Sequence, residues 1–432
     1  MILCIDIDAF FVSVEQALNP LLKGKAVIVG GVPSQRGVVA SASYEARRFG
    51  IKAGMPLSHA YRLYPHAVFL GGNFRNYQHF SAQFHEILNH YSPAVEMTSL
   101  DEAFLDIRGT KRLFGEPVEL GCRIKSKIKE QLDLPTTVGI ARTRTIAKIA
   151  ADQAKPDGLA CILKENELTF LKPLPVNVLP GIGPKNFEVL KNLNIKTVED
   201  FLKTPSWVLS LALGIQSRWI RLIISTPMEE SIICSDSSPG PTTGGFTPDT
   251  NPGKSDKLSD QPHFLTGRVK SVSRETTFEE DTLDLDFIKA TIYYLLERAC
   301  FSLRQIHRQA QRVEIKVRFS DFKTVSTQTK IPATHIQQTI YPVALKLFRS
   351  LLTDRKRIRL VGVSLSNLTG GTAQSSLFDR RAEKLIELNC ALDQARGRFG
   401  YGSLFTARTF CLRDHYHEDH DGYVLHTPSL SQ

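Results

Sequence analysis

The residues best suited to chemistry are two clusters of carboxylates. Asp6 and Asp8 close the apolar run Ile2-Leu3-Cys4-Ile5, and Asp101, Glu102 and Asp106 flank a second run, Ala103-Phe104-Leu105. A spacing of two puts both side chains of the first pair on one face of a strand. A carboxylate at the end of a buried strand is costly unless a cation meets it. Alone, Asp-x-Asp reads as a helix cap or the partner of a nearby Arg. Two such clusters, each at the end of an apolar strand, point to a divalent metal instead. Adjacent strand residues face opposite ways, so Asp101 and Glu102 serve one site only from a hairpin bend.

A sheet must hold these residues. Residues 26–30 and 37–44 read as strands, the second rich in Gly, Ala and Ser, and residues 13–22, 45–49, 57–63 and 76–91 read as helices. In the last of these, Tyr77, Phe80, Phe84, Ile87 and Leu88 share one face. A hairpin around Asp101, a helix over 118–132, a strand over 136–141 and a helix over 146–154 complete an α+β layer. A ferredoxin-like sheet with an insertion over about residues 11–76 accounts for that order.

Residues 168–226 read as all helical and contain Leu179-Pro180-Gly181-Ile182-Gly183-Pro184-Lys185. A tight Gly-x-Gly turn offers backbone N–H groups to a phosphate, reinforced by the next helix N-terminus and by Lys185. This looks like a helix-hairpin-helix, which grips a DNA backbone without reading its sequence. Residues 235–261 are packed with Ser, Pro, Gly, Thr and Asp and read as a disordered linker. The order strand, helix, strand, strand, helix, strand then runs over 268–365, a second small α/β sheet. A helix over 379–397 follows. The last stretch holds His415, His417, His420 and His426 with Asp419 and Asp421, and reads as a flexible polar tail, since nothing around it would fix metal ligands in place.

A chain of 432 residues is too long for one core and implies three or four domains. Hydrophobic residues at 42% and charged residues at 23% are ordinary for a soluble protein. The net charge is +10, and residues 266–368 carry +8 of it, with 18 Lys and Arg against 10 Asp and Glu. That segment is the compositional candidate for gripping phosphates. The seven cysteines include no C-x-x-C and are odd in number, which fits reduced thiols in a cytosolic protein. No apolar run reaches the ~20 residues of a membrane span, and the acidic start is unlike a signal peptide.

With these motifs in view, the chain resembles the Y family of DNA polymerases, and within it the bacterial polymerase IV branch. The resemblance runs from Met1 to about Phe399. It rests on Asp6-Ile7-Asp8-Ala9-Phe10-Phe11, Ser43-Tyr44-Glu45-Ala46-Arg47, Gly50-Ile51-Lys52-Ala53-Gly54-Met55, Ser99-Leu100-Asp101-Glu102-Ala103 and Ala150-Ala151-Asp152-Gln153-Ala154-Lys155-Pro156, in that order, with the Gly181–Gly183 turn after them. It implies a multidomain α+β right hand. The ferredoxin-like palm would be 1–10 and 77–165, the small fingers 11–76, and the helical thumb with its helix-hairpin-helix 166–231. A disordered linker over 232–265, a βαββαβ little finger over 266–368 and a tail over 369–432 complete the expectation.

The resemblance further implies template-directed, low-fidelity DNA synthesis across damaged templates, without proofreading. Two Mg²⁺ ions would be held by Asp6, Asp101, Glu102 and the Ile7 carbonyl, leaving Asp8 and Asp106 to structural pairing. Phe10, Phe11, Tyr44, Arg47 and Lys155 would line the nucleotide, with Phe11 as a steric gate against the ribose 2′-hydroxyl. Gly181, Gly183 and Lys185 would touch DNA. Gln374-x-x-Leu377-Phe378 resembles the peptide that bacterial polymerases insert into the sliding clamp, though here it is internal. The implied partners are primer-template DNA, dNTPs and the clamp, for a cytoplasmic monomer with no membrane attachment. Two other readings remain: a catalytically silent polymerase-like scaffold, which has no need of the acidic trio, and a nucleotide cyclase, which needs neither the Gly181–Gly183 turn nor the basic domain.

Overall fold

The computed structural model describes residues 1–225, 269–352, 356–370 and 380–425. The expected linker and the residues Gln374, Leu377 and Phe378 lie outside them. The chain forms two compact units, Met1–Val27 with Ser41–Arg47 and Gly72–Thr266, and Ile28–Ala40 with Arg48–Gly71 and Gly267–Gln432. Among the described residues no helix is long and apolar enough to cross a membrane.

Strand β1 (Ile2–Ile7) is buried along its whole length and passes into α1 (Phe10–Leu18). The sequence placed this helix at 13–22. It starts three residues earlier because Ala9 takes a left-handed conformation, φ 47°, and turns the chain off the strand at once. It ends at Leu18 because Pro20 cannot continue it, and Pro20–Leu22 forms a separate 3₁₀ turn. β2 (Val27–Val29), β3 (Ser41–Ala42), α2 (Tyr44–Arg47), α3 (Leu57–Leu63) and β4 (Val68–Leu70) follow. The strand expected over 37–44 shrinks to β3. Its small residues offer little cross-strand contact, Val38 makes only an isolated bridge to Pro56, and Tyr44 already opens a helix. β4 was not anticipated.

Next come α4 (Phe74–Asn89), β5 (Val95–Met97), β6 (Glu102–Asp106), α5 (Lys111–Phe114), α6 (Pro117–Leu132), β7 (Thr136–Ala141), α7 (Arg144–Ala154) and β8 (Leu159–Cys161). The sheet order is β5-β6-β1-β7-β8, with β1 antiparallel to both neighbours and β8 parallel to β7. Its first four strands have the ferredoxin-like order, and β8 adds an unexpected edge. Ile2 and Cys4, on the face of β1 that Asp6 shares, join one core with Ile146, Ala147 and Ala151 of α7. Gly139 of β7 lets that helix come close: a Cβ there would meet the Ala147 carbonyl oxygen at 2.0 Å and the Ala151 nitrogen at 2.4 Å. The same core continues into α8 (Glu167–Leu171), α9 (Pro184–Asn192), α10 (Val198–Lys203), α11 (Ser206–Leu213) and α12 (Gln216–Ser225) through Leu190, Phe201, Leu209 and Ile220.

In the second unit, β9 (Ser271–Thr282), α13 (Leu285–Gln305), β10 (Arg308–Phe319), β11 (Thr324–Thr334), α14 (Gln337–Leu351) and β12 (Ile358–Gly370) keep the expected βαββαβ order. The strands are arranged β11-β10-β12-β9, all antiparallel, so β12 lies between β10 and β9 and the topology differs from that of the first sheet. Val313, Ile315, Val317, Val361, Val363 and Leu365 face the helices. By alternation, Arg312, Glu314, Lys316 and Arg318 face outward, opposite Ser366, Ser364, Gly362 and Leu360.

The helix expected over 379–397 is α15 (Arg380–Phe399), but the stretch after it, through residue 425, is not a flexible tail. Tyr401, Leu412, Tyr416 and Tyr423 are buried in the core under α13, and β13 (Glu418–Asp419) pairs with β14 (Gly422–Tyr423). Before them, α15 reaches the same core through Arg396, which pairs with Glu297 of α13 at 3.1 Å with both side chains almost wholly buried. Asp393 takes a two-pronged contact from Arg304 at 2.5 and 2.9 Å, and Asn389 accepts from Gln337 at 2.8 Å. His415 packs on the Phe287 ring at 4.0 Å. Of the polar residues that suggested a tail, His415 is part of this docked segment, which is anchored by the buried tyrosines and by Asn389, Asp393 and Arg396.

Candidate active site

The pairing of β1 with β6 sets Asp6 directly opposite Glu102, so the two carboxylates stand on one face of the sheet. Asp101 is in the bend just before β6, where its carbonyl accepts the Ile7 amide at 2.9 Å and its carboxylate accepts the Ser99 hydroxyl at 2.6 Å. Burial pushes the Asp101 carboxyl above its usual range against the pull of that hydroxyl, and the charge on Asp6 pushes the same way. The hairpin bend required by the sequence is therefore present, and it brings Asp6, Asp101 and Glu102 together.

Two ammonium groups meet this cluster. Lys148 of α7 lies 2.7 Å from Asp6, 2.9 Å from Glu102 and 3.4 Å from Asp152. Lys155 lies 2.6 Å from Asp6 and 3.4 Å from Asp152. Burial alone would lower both lysines, but the carboxylates outweigh it and hold both above the ordinary lysine value. Among the described residues no three His, Cys, Asp or Glu side chains are arranged to hold a metal ion as they stand. The acids are turned to the lysines instead. Lys148 was not singled out from the sequence. Its signal is the period of α7: Lys148, Asp152 and Lys155 fall at i, i+4 and i+7, one face of a helix. Cys4, two residues before Asp6, points its thiol at Glu102 over 3.8 Å, and burial followed by the Glu102 charge drives that thiol well up.

Asp8 faces a different set of groups. It is buried and accepts Thr137 Oγ1 at 2.9 and 3.0 Å, the Asp157 amide at 2.8 Å and the Tyr44 hydroxyl at 3.3 Å. Desolvation raises its carboxyl, partly offset by the Asp157 amide and Thr137. These are structural contacts, as are those of Asp106 with the Arg108 guanidinium and amide. The Asp8 link ties α2 to the end of β1. Tyr44 is pushed up to about 12 by burial and by Asp8, and the Arg47 guanidinium stacks 4.5 Å from its ring centre. Arg47 also donates to the Ala42 carbonyl at 3.0 Å, so the two side chains share a face as their spacing required.

Phe10 and Phe11 diverge in exposure. Phe10 is 4% exposed, while Phe11 is only half-buried. The Phe11 ring rests on Tyr77 with centroids 4.6 Å apart, and Tyr77, fully buried, is fixed by its own bond to Glu15 at 2.7 Å. Farther along the unit, the Gly181–Gly183 turn has Gly181 at φ 91°, a conformation that favours glycine, and Pro184 opens α9. Asn186 donates back to the Gly181 carbonyl at 3.0 Å, and Gly183 and Lys185 are exposed. A 3₁₀ turn, Val176–Val178, precedes this hairpin where a full helix was expected.

Comparison with known proteins adds a second line. Residues 5–152 match the impB/mucB/samB family and residues 269–377 match that family's C-terminal domain. A protein named DNA polymerase IV from Dehalococcoides mccartyi strain 195 is 39% identical over 413 residues, covering 95% of this chain and 97% of its own. One of the same name from Desulfatibacillum aliphaticivorans is 36% identical, covering 94% and 95%. Among solved structures, a Y-family DNA polymerase chimera of Dbh and Dpo4 superposes with a TM-score of 0.72 at 28% identity, over 86% of this chain and 99% of that one. An insertion ternary complex of Dbh DNA polymerase gives 0.56 at 27% identity over the same shares.

Proposed function

Because the chain belongs to the Y family of DNA polymerases, in the DNA polymerase IV branch, we propose that its acidic cluster catalyses template-directed nucleotidyl transfer with two Mg²⁺ ions. It is a translesion DNA polymerase. Polymerases of this family generally need a divalent metal. The observation that carries the two-ion reading is the convergence of Asp6, Asp101 and Glu102 on one face at a hairpin bend. Four acids with Asp152, against Lys148 and Lys155, leave the cluster short of positive charge, which fits a site meant for divalent cations. Asp6, Asp101, Glu102 and the Ile7 carbonyl would hold the ions. Held there, the ions would supply activation of a primer 3′-hydroxyl and neutralisation of the charge that develops on the phosphates.

The chain's own residues supply the rest. Tyr44, Arg47 and Lys155 present a hydroxyl and two cations to the triphosphate, and the Tyr44–Asp8 bond keeps that helix in register with the catalytic strand. Phe11 would lie under the incoming sugar, and the burial of Phe10 behind it supports that reading. Gly181, Gly183 and Lys185 offer N–H groups and a cation to the DNA backbone. The outward face of β10, with Arg312, Lys316 and Arg318 beside Glu314, would give a second surface for the DNA backbone, with Lys316 shared with Glu275 at 2.6 Å. Gln374, Leu377 and Phe378 would anchor a sliding clamp, for a monomeric enzyme of the cytoplasm. Primer extension on undamaged and lesion-bearing templates with Mg²⁺ tests the proposal. Extension past the lesion is the expected result, and no extension on either template overturns it.

A further inference from the structure

Lys148 sits in the seat of a divalent ion. Its ammonium nitrogen is 2.7 Å from Asp6 and 2.9 Å from Glu102, which are direct cross-strand partners. A metal drawing its ligands from those carboxylates needs their oxygens at about 2.0–2.1 Å, and cannot share the space between them with an ammonium. Nothing forces Lys148 there by chance. Gly139 lets α7 pack against β7 without a side chain between, and α7 carries Lys148 over the cross-strand pair. The helix also provides an exit. Asp152, one turn on, already lies 3.4 Å from the same ammonium, shares that oxygen with Lys155 at 3.4 Å and is half-exposed, which makes it the carboxylate to which Lys148 can turn.

We propose that Lys148 is a built-in stand-in cation: it holds Asp6 and Glu102 in the idle enzyme and competes with the divalent metal. When the metal binds, the ammonium moves to Asp152. This rests on the reading of Asp6 and Glu102 as metal ligands. The consequence is an enzyme that keeps its acids ordered without metal, binds free divalent ions weakly and fills the seat when a nucleotide brings further charge.

The test is direct binding of Mn²⁺ to the DNA-free, nucleotide-free full chain, followed by electron paramagnetic resonance. Lys148→Met should bind Mn²⁺ at least tenfold more tightly than the unchanged protein, while Lys148→Arg, which keeps the charge, should bind about as weakly as before. Asp152→Asn removes the exit and should weaken binding. Without metal, Lys148→Met should melt at a lower temperature than the unchanged protein and recover when Mn²⁺ is added, which separates this role from simple loss of packing. Asp6→Asn should abolish the tight binding of the Lys148→Met background. If Lys148→Met binds no more tightly while Asp6→Asn still weakens binding, the stand-in role is overturned and the metal seat stands. If Asp6→Asn changes nothing in either background, the metal-seat reading falls and the stand-in role with it.

Discussion

The proposed role of Phe11 as a steric gate ties sugar choice to a single side chain. Phe11 is half-exposed where Phe10 is 4% exposed, so only Phe11 has a free face to offer a substrate. That face cannot retreat easily. Behind it, 4.6 Å away, is the ring of Tyr77, which is fully buried and bonded to Glu15 at 2.7 Å. A 2′-hydroxyl pressed against Phe11 therefore meets a braced pair of rings. Exclusion of that kind is worth about 4 kcal/mol, or roughly a thousandfold in kcat/KM. Phe11→Ala should raise ribonucleotide incorporation by that order while lowering deoxynucleotide incorporation much less. Tyr77→Ala removes the brace and leaves the gate, so it should relax sugar choice only in part. Phe10→Ala should leave sugar choice intact and cost about 3–5 kcal/mol of stability, since it empties a buried site. The assay is the ratio of kcat/KM for dNTP and rNTP in single-nucleotide insertion, with a melting curve for each variant. If Phe10→Ala relaxes sugar choice and Phe11→Ala does not, the register of this turn is misread by one residue.

Asp101→Ala should abolish nucleotide addition in primer extension while DNA binding in a gel-shift assay persists, and substantial extension would refute the metal assignment. Arg396→Ala leaves Glu297 charged and buried, and should cost about 3–5 kcal/mol by denaturant unfolding. Replacing both partners with apolar residues should cost far less, and equal losses would contradict the pairing. Burial would raise the Asp106 carboxyl, but the Arg108 guanidinium and amide prevail and hold it below its usual range. Its stability contribution is therefore present above the unfolded carboxyl value and lost as pH falls through the lowered folded one; Asp106→Asn should flatten that part of the acid-unfolding curve. Changing Gln374, Leu377 and Phe378 to Ala should leave synthesis on a short primer unchanged and remove stimulation by the sliding clamp. Stimulation that survives makes the motif a coincidence.

The parts that sequence made legible are those with a strict period or a paired charge. Residues 57–63 and 136–141 form their expected helix and strand, the second a short run buried on both faces. The acidic trio was singled out by the resemblance to the Y family; strand geometry added only the condition that Asp101 and Glu102 sit at a bend, and Asp101 does lie in the bend before β6. Edge strands β4 and β8 were missed, each only three residues long and half-buried, too short to show alternation. The helix start at Phe10 was hidden because it depends on one alanine in a left-handed conformation, which no propensity scale favours. The docked C-terminal stretch was misread because His415, His417, His420, Asp419 and Asp421 make it look polar, while its anchors Tyr416 and Tyr423 are too few and too far apart to show a period. Lys148 was overlooked because a lysine on an amphipathic helix has a solvated face as its ordinary place.

Both tryptophans of the chain, Trp207 and Trp219, sit in the helical region of the first unit, on α11 and α12, and are 68% and 54% exposed. The second unit has none, but buries Tyr293, Tyr294, Tyr401, Tyr416 and Tyr423. Light absorbed by indole alone thus reports on one part of the molecule, and the near-ultraviolet dichroism of tyrosine is weighted to the other. A single denaturant titration read at both signals resolves whether the two units melt together or in turn, with no label attached.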